Sequence, residues 1–143
     1  MEAAAFIAAV FLYLSILWNL EQRFRRKLGL AFSRDHCPGP TFAAISDTLR
    51  ELNEDCAHFV FTAEQSGNVL FREKPITLVY GHVGSRFPGG IRGPVWKLRK
   101  RAYALVPNTQ SDWMKTIPSV FRHATSGYRY SIFWVNLDAL LAG

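Results

Sequence analysis

From Ala3 to Leu20 the chain runs AAAFIAAVFLYLSILWNL, without a charge and with only Ser15 and Asn19 as polar side chains. The pattern predicts a membrane-spanning helix. At about 1.5 Å of rise per residue the run is about 27 Å long, the short end of what crosses a hydrocarbon core, and a helix pairs its own backbone groups where no water can. A cleaved signal peptide would need a basic start, a shorter apolar core and a small-x-small exit; this chain begins Met1-Glu2 and continues into Trp18, Asn19 and Glu21. A transit peptide is rich in Arg, and no Arg precedes position 23. The competing reading is a helix buried in a soluble domain, since 143 residues are enough to wrap one apolar helix.

Helical spacing continues from Glu21 to Leu30, with Phe24, Leu28 and Phe32 on one side and Arg23, Arg26 and Lys27 mostly on others. Ser33 to Pro40, SRDHCPGP, sets a glycine between two prolines and predicts a linker. Thr41 sits where an N-cap belongs. After it Phe42, Ile45, Leu49 and Leu52 recur at intervals of three and four, opposite Asp47, Arg50, Glu51 and Glu54, which predicts a surface helix of the domain.

At Cys56 the period changes to two. Ala57, Phe59 and Phe61 alternate with His58, Val60 and Thr62, Glu64 to Asn68 supplies turn chemistry, and Val69 to Arg72 resumes the apolar run, so a hairpin turning at 64–68 is expected. Pro75 opens a further strand whose unbroken ITLVY, Ile76 to Tyr80, predicts burial on both faces. Gly81 to Pro94 holds five glycines and two prolines and is expected to be an irregular loop. Residues 95–106, VWKLRKRAYALV, follow as a basic strand. A helix is expected from Ser111-Asp112, either kinked at Pro118 or broken into two short pieces, the second starting near Pro118 and ending before Gly127, then a strand over Tyr128–Val135 and a last helical turn or two to Gly143.

Composition narrows the picture. The chain has Lys+Arg 17 against Asp+Glu 11, with 49% hydrophobic and 14% aromatic residues, which is the composition of a folded protein and excludes a disordered one. The division expected is 1–22 as anchor, 23–40 as basic juxtamembrane segment and linker, and 41–143 as one small domain. The expected fold is α+β: an N-terminal transmembrane helix, then a mainly antiparallel sheet of about five strands with two helices. Only Glu2 precedes the apolar run, whereas Arg23, Arg25, Arg26 and Lys27 follow it, so the N-terminus is expected outside and the domain in the cytoplasm. There Cys37 and Cys56 would be reduced thiols; in an oxidising compartment they become a possible disulfide.

The candidate chemistry concerns binding. Trp18 with Arg23, Arg25, Arg26 and Lys27 marks a membrane interface. Ala4 and Ala8, and Ala5 and Ala9, lie four apart and make a smooth face on which a neighbouring helix can pack. On the basic strand Lys97, Arg99, Arg101 and Tyr103 share one face, with Lys100 behind and Arg86 and Arg92 in the preceding loop. Such a comb suits the phosphates of a nucleic acid or of anionic lipids, with Tyr103 stacking on a base. A solvated or charge-protected edge strand is the plainer reading. His36-Cys37 and Cys56-x-His58 depart from zinc-ligand spacing, and no metal or cofactor is expected. His82 is the best-placed candidate for a general base, with no acid or nucleophile tied to it by sequence. The leading expectation is a single-pass accessory or assembly subunit that docks to a membrane-protein partner. A membrane-tethered polyanion binder and a small enzyme using the glycine-rich loop are the alternatives.

Overall fold

The computed structural model describes residues 2–34, 36–56, 59–85, 96–97 and 100–143, with Ser85, Trp96 and Lys97 described by backbone alone. The apolar run is helical and does not stop at its basic flank. α1 (Glu2–Arg34) is a single 33-residue helix, about 50 Å long. Residues 2–20 are exposed all along the rod, and the most apolar 18-residue window has a mean hydropathy of 2.0 with none of it buried. The helix is therefore long and apolar enough to cross a membrane. From Glu21 onward it belongs to the domain: Leu28 and Ala31 are buried, and Phe24 and Phe32 pack beside them.

α2 (Phe42–Asp55) begins where expected, with the Thr41 hydroxyl accepting the Ala44 amide. β1 (Phe59–Phe71) and β2 (Lys74–Ser85) form a long antiparallel hairpin. The turn is not at 64–68. β1 runs through that stretch with a bulge between Ala63 and Gln65, and the chain reverses at Arg72-Glu73, whose φ angles of 50° and 66° close a two-residue loop between Phe71 and Lys74. Two positive φ angles match the right-handed strand twist, a role for which Asn and Gly are the usual residues. The strand persists across Gly67 because that position lies under α1, where an added Cβ would stand 2.5 Å from the Phe32 ring.

The short β3 (Trp96–Lys97) pairs with the end of β2, and β4 (Arg101–Pro107) pairs with β2 farther back. A 3-10 turn (Asn108–Gln110) and α3 (Ser111–Lys115) follow. The helix expected to resume after Pro118 is instead a strand, β5 (Phe121–Ser126), which pairs with β6 (Tyr130–Val135). Pro118 has no amide to continue the helix, and Phe121 gains burial in the sheet. α4 (Leu137–Ala142) closes the chain behind an Asn136 cap that accepts the Ala139 amide. The five main strands lie in the order β1-β2-β4-β6-β5, all antiparallel. The fold is α+β.

Both faces of the sheet are covered. On one, the second half of α1 and α4 bury Val69, Phe71, Ile76, Leu78, Tyr80, Ala104 and Phe133. On the other, Ile45, Leu49 and Leu52 of α2 cover Phe61, Val79, Tyr103, Leu105 and Ile132. ITLVY is thus buried on both sides, as its unbroken pattern predicts. Lys27 pairs with Asp138 at 2.8 Å and Arg34 donates to the Leu141 carbonyl, so the membrane-type helix is tied to the last helix of the chain. Cys37 and Cys56 are separate buried thiols.

Candidate functional site

Where α1 departs from the sheet, charged and aromatic side chains come together. Pairing sets up the row. Ala63 of β1 faces Gly81 of β2, Gly81 faces Arg101 of β4, Tyr103 faces Trp134 of β6, and Trp134 faces Arg122 of β5. This end of the sheet therefore collects Glu64, Tyr80, Lys100, Arg101, Trp134 and Arg122. The bulge at Glu64 breaks strict alternation there, and its carboxylate accepts from the Lys100 ammonium at 2.8 Å.

Two adjoining clefts share Phe24 and Lys100. One, of about 270 Å³, is lined by Leu17, Leu20, Glu21 and Phe24 of α1 with Tyr80 and Lys100. The other, of about 390 Å³, passes around the sheet end between Lys100, Arg101, Arg122 and Trp134. Arg25 ion-pairs with Glu21 at 3.0 Å and lies 6.0 Å from the Tyr80 ring centroid, which itself packs against Phe24 at 5.6 Å. Tyr80 is only 3% exposed, and its hydroxyl makes no hydrogen bond of good geometry among the described residues.

Charge is partly neutralised in the row. The hydrogen bond from Lys100 holds the Glu64 carboxyl below its usual range, and the same bond raises the Lys100 ammonium. The Arg101 guanidinium lies over the Trp134 ring, 4.5 Å from its centroid.

The structure redistributes the basic comb. Arg101 and Tyr103 do share a face, but it is the face under α2. Tyr103 is 2% exposed, with Phe61 at 4.8 Å and Trp134 at 6.5 Å between ring centroids, and burial raises its phenol against a smaller opposing effect of Arg101. Stacking on a base is therefore excluded for Tyr103: β4 is a central strand, so its alternate face is core and not solvent. Lys100 lies on the opposite face, toward α1. Arg86, Arg92 and Arg99 lie outside the described residues, as does the Lys97 side chain.

On α1, Ala4, Ala5, Ala8, Ala9 and Trp18 are exposed. Of the basic collar, Arg25 and Lys27 are engaged within the protein, whereas Arg23 and Arg26 are exposed and make no ion pair among the described residues. His82 lies on β2 opposite Thr62, and no hydrogen bond among the described residues joins it to an acid or nucleophile. Among the described residues no three His, Cys, Asp or Glu side chains are placed to hold a metal ion.

Sequence reasoning missed Tyr80, Glu64, Arg122 and Trp134 as members of one site. Tyr80 alone carried a signal, as a hydroxyl-bearing ring ending an apolar strand. A second unforeseen contact lies on β5, where His123 Nε2 and Ser126 Oγ are 2.7 Å apart and Ser126 Oγ is 3.1 Å from Ser131 Oγ. Burial, and secondarily Lys115, lower the His123 imidazole below its usual value. No carboxylate among the described residues orients its other nitrogen, as a catalytic base requires. Neither a protein-family model, nor a curated protein, nor a solved structure matches the chain.

Proposed function

We propose that this protein is a single-pass membrane accessory or assembly subunit, which holds its α+β domain against the cytoplasmic face of a membrane and docks to a membrane-protein partner. One observation carries the reading: the projection of α1, residues 2–20, is exposed along its whole length and carries no charge after Glu2, while the same unbroken helix supplies Phe24, Leu28 and Ala31 to the core. Water is a poor solvent for such a rod, so lipid or a lipid-embedded neighbour covers it. The continuous helix fixes the domain's height and rotation relative to the bilayer. The Ala4/Ala8 and Ala5/Ala9 face supports close packing with another helix, and the cations after Leu20 support the inward placement of the domain.

The test is extraction and co-purification. The protein is expected to stay with membranes through alkaline carbonate and to leave a mild-detergent column with a stoichiometric membrane partner, which Leu at both Ala5 and Ala9 releases. Protease added to sealed vesicles of either orientation reads the side on which the domain lies. A detergent-free soluble monomer would overturn the anchor, and a partner-free monomer in mild detergent would overturn the docking role.

A second reading, binding of anionic lipid headgroups, is supported by the collection of Lys100, Arg101, Arg122 and Arg25 where the helix leaves the sheet. Its signature is retention on anionic vesicles that falls steeply with salt.

A further inference from the structure

We infer that the cleft between Leu17, Leu20 and Phe24 of α1 and Tyr80 and Lys100 of the sheet is a binding site for one anionic glycerophospholipid of the surrounding membrane, whose phosphate takes the Tyr80 hydroxyl and the Lys100 ammonium. The inference rests on the membrane placement proposed above and adds the ligand and the residues.

Three observations converge. The cleft's walls change character along α1: Leu17 and Leu20 belong to the exposed apolar rod, and Glu21 begins the part packed on the sheet. A lipid whose acyl chain lies along Leu17 and Leu20 therefore brings its phosphate to the level of Tyr80 and Lys100. Second, the Tyr80 hydroxyl is buried beside this cleft and makes no hydrogen bond of good geometry among the described residues; the Arg25 guanidinium interacts with it only weakly and, being a donor, gives its proton no acceptor. A buried hydroxyl left unpaired is costly, and a phosphate oxygen is an acceptor of the chemistry it needs. Third, the surrounding charge favours an anion. Arg25, Lys100, Arg101 and Arg122 stand against Glu21 and Glu64, and each of these carboxylates already accepts from a cation, Arg25 or Lys100. The paired acids do not block the site, because Lys100 carries three donors and Glu64 is given only one here.

The experiment uses the full chain purified in mild detergent, exchanged into nanodiscs of phosphatidylcholine with or without phosphatidylglycerol, and read by native mass spectrometry for retained lipid. The wild type is expected to hold one phospholipid with a preference for phosphatidylglycerol. Y80F, which removes only the hydroxyl, is expected to lower retention about tenfold without loss of folding. K100Q should abolish the preference for phosphatidylglycerol, whereas E64Q, which frees the ammonium, should strengthen it; a merely structural role for the Lys100–Glu64 pair would make both variants behave alike. Unchanged retention in Y80F and K100Q overturns the site. Competition by millimolar glycerol phosphate would overturn the lipid assignment in favour of a soluble phosphate compound. Carbonate extraction of the membranes from which each protein is purified separates the two levels: a wild type that fails to stay with membranes refutes the anchor, and one that stays but retains no lipid in nanodiscs refutes this site alone.

Discussion

Asn53 of α2 pairs with the backbone of Phe61 as a neighbouring strand would: its side-chain amide donates to the Phe61 carbonyl at 2.8 Å and its carbonyl accepts the Phe61 amide at 2.7 Å. β1 is an edge strand, and an open edge leaves backbone donors and acceptors free to recruit another chain. Farther along the same strand the job is taken by the linker, where His36 bridges Val69 and the Cys37 amide donates to Asn68. The edge next to the membrane-type helix is thus closed by a side chain at one point and by backbone at another.

Asn53→Ala removes both partners of Phe61 at once. We expect a loss of about 2 kcal/mol, because two partly buried backbone groups are left without partners. The denaturant midpoint of the protein in mild detergent, followed by tryptophan fluorescence, measures it. A change within error would show that water replaces the amide freely.

Two glycines give opposite expectations. At Gly81 an added Cβ would stand 2.0 Å from the Thr62 carbonyl oxygen, where the bulged β1 comes close, so Gly81→Ala should cost about 3 kcal/mol. At Gly29, inside α1, nothing lies within 4 Å, and Gly29→Ala should stabilise by roughly 0.5–1 kcal/mol through helix propensity. Thermal unfolding of the pair reads both signs in one experiment.

Leu28 joins the projecting helix to the core and is only 2% exposed. Leu28→Ala should cost about 3 kcal/mol. It should also loosen α1 from the sheet, seen as faster hydrogen exchange from residue 21 to 34 with α2 unaffected. Equal protection loss in α2 would mean that the two sheet faces unfold as one unit.

Acid should weaken the fold in two windows. His123 titrates below its ordinary 6.5 in the folded protein, through burial and then Lys115. The unfolded chain therefore takes the proton first, so this stability is present above about pH 6.5 and is lost as the pH falls below it. Glu64 titrates below its ordinary 4.5 because of Lys100, so its contribution is complete above that pH and disappears as the pH drops toward its folded value. Both side chains are largely solvated, and each effect should be no more than a few tenths of a kcal/mol. His123→Gln should flatten only the first window and Glu64→Gln only the second, in denaturation midpoints measured from pH 8 to pH 3.5.

Much of the local structure was written in one-dimensional patterns. The apolar helix, the Thr41 cap with Ile45, Leu49 and Leu52 behind it, and the doubly buried ITLVY strand each depend on short-range periodicity or on local capping, which a single chain displays without its fold. The turn at Arg72-Glu73 was not legible, because neither residue belongs to the usual hairpin vocabulary and only the pairing of β1 with β2 holds both at positive φ. β5 was hidden for a similar reason: FRHATS has no marked alternation, and its strand state comes from pairing with β6.

The site was the least legible part. Alternation alone made Arg101 and Tyr103 a free cationic face; the order β2-β4-β6 makes that strand central and places α2 over it, so Tyr103 becomes core. What the sequence by itself determined is the character of the segments: which run is too apolar for water, which helix has a wet and a dry face, where cations concentrate. The tertiary structure alone decided that α1 continues into the core and that Leu17, Tyr80 and Lys100 meet at its exit. Burial and strand order are properties of contacts between residues distant along the chain, and no local pattern encodes which of those contacts form.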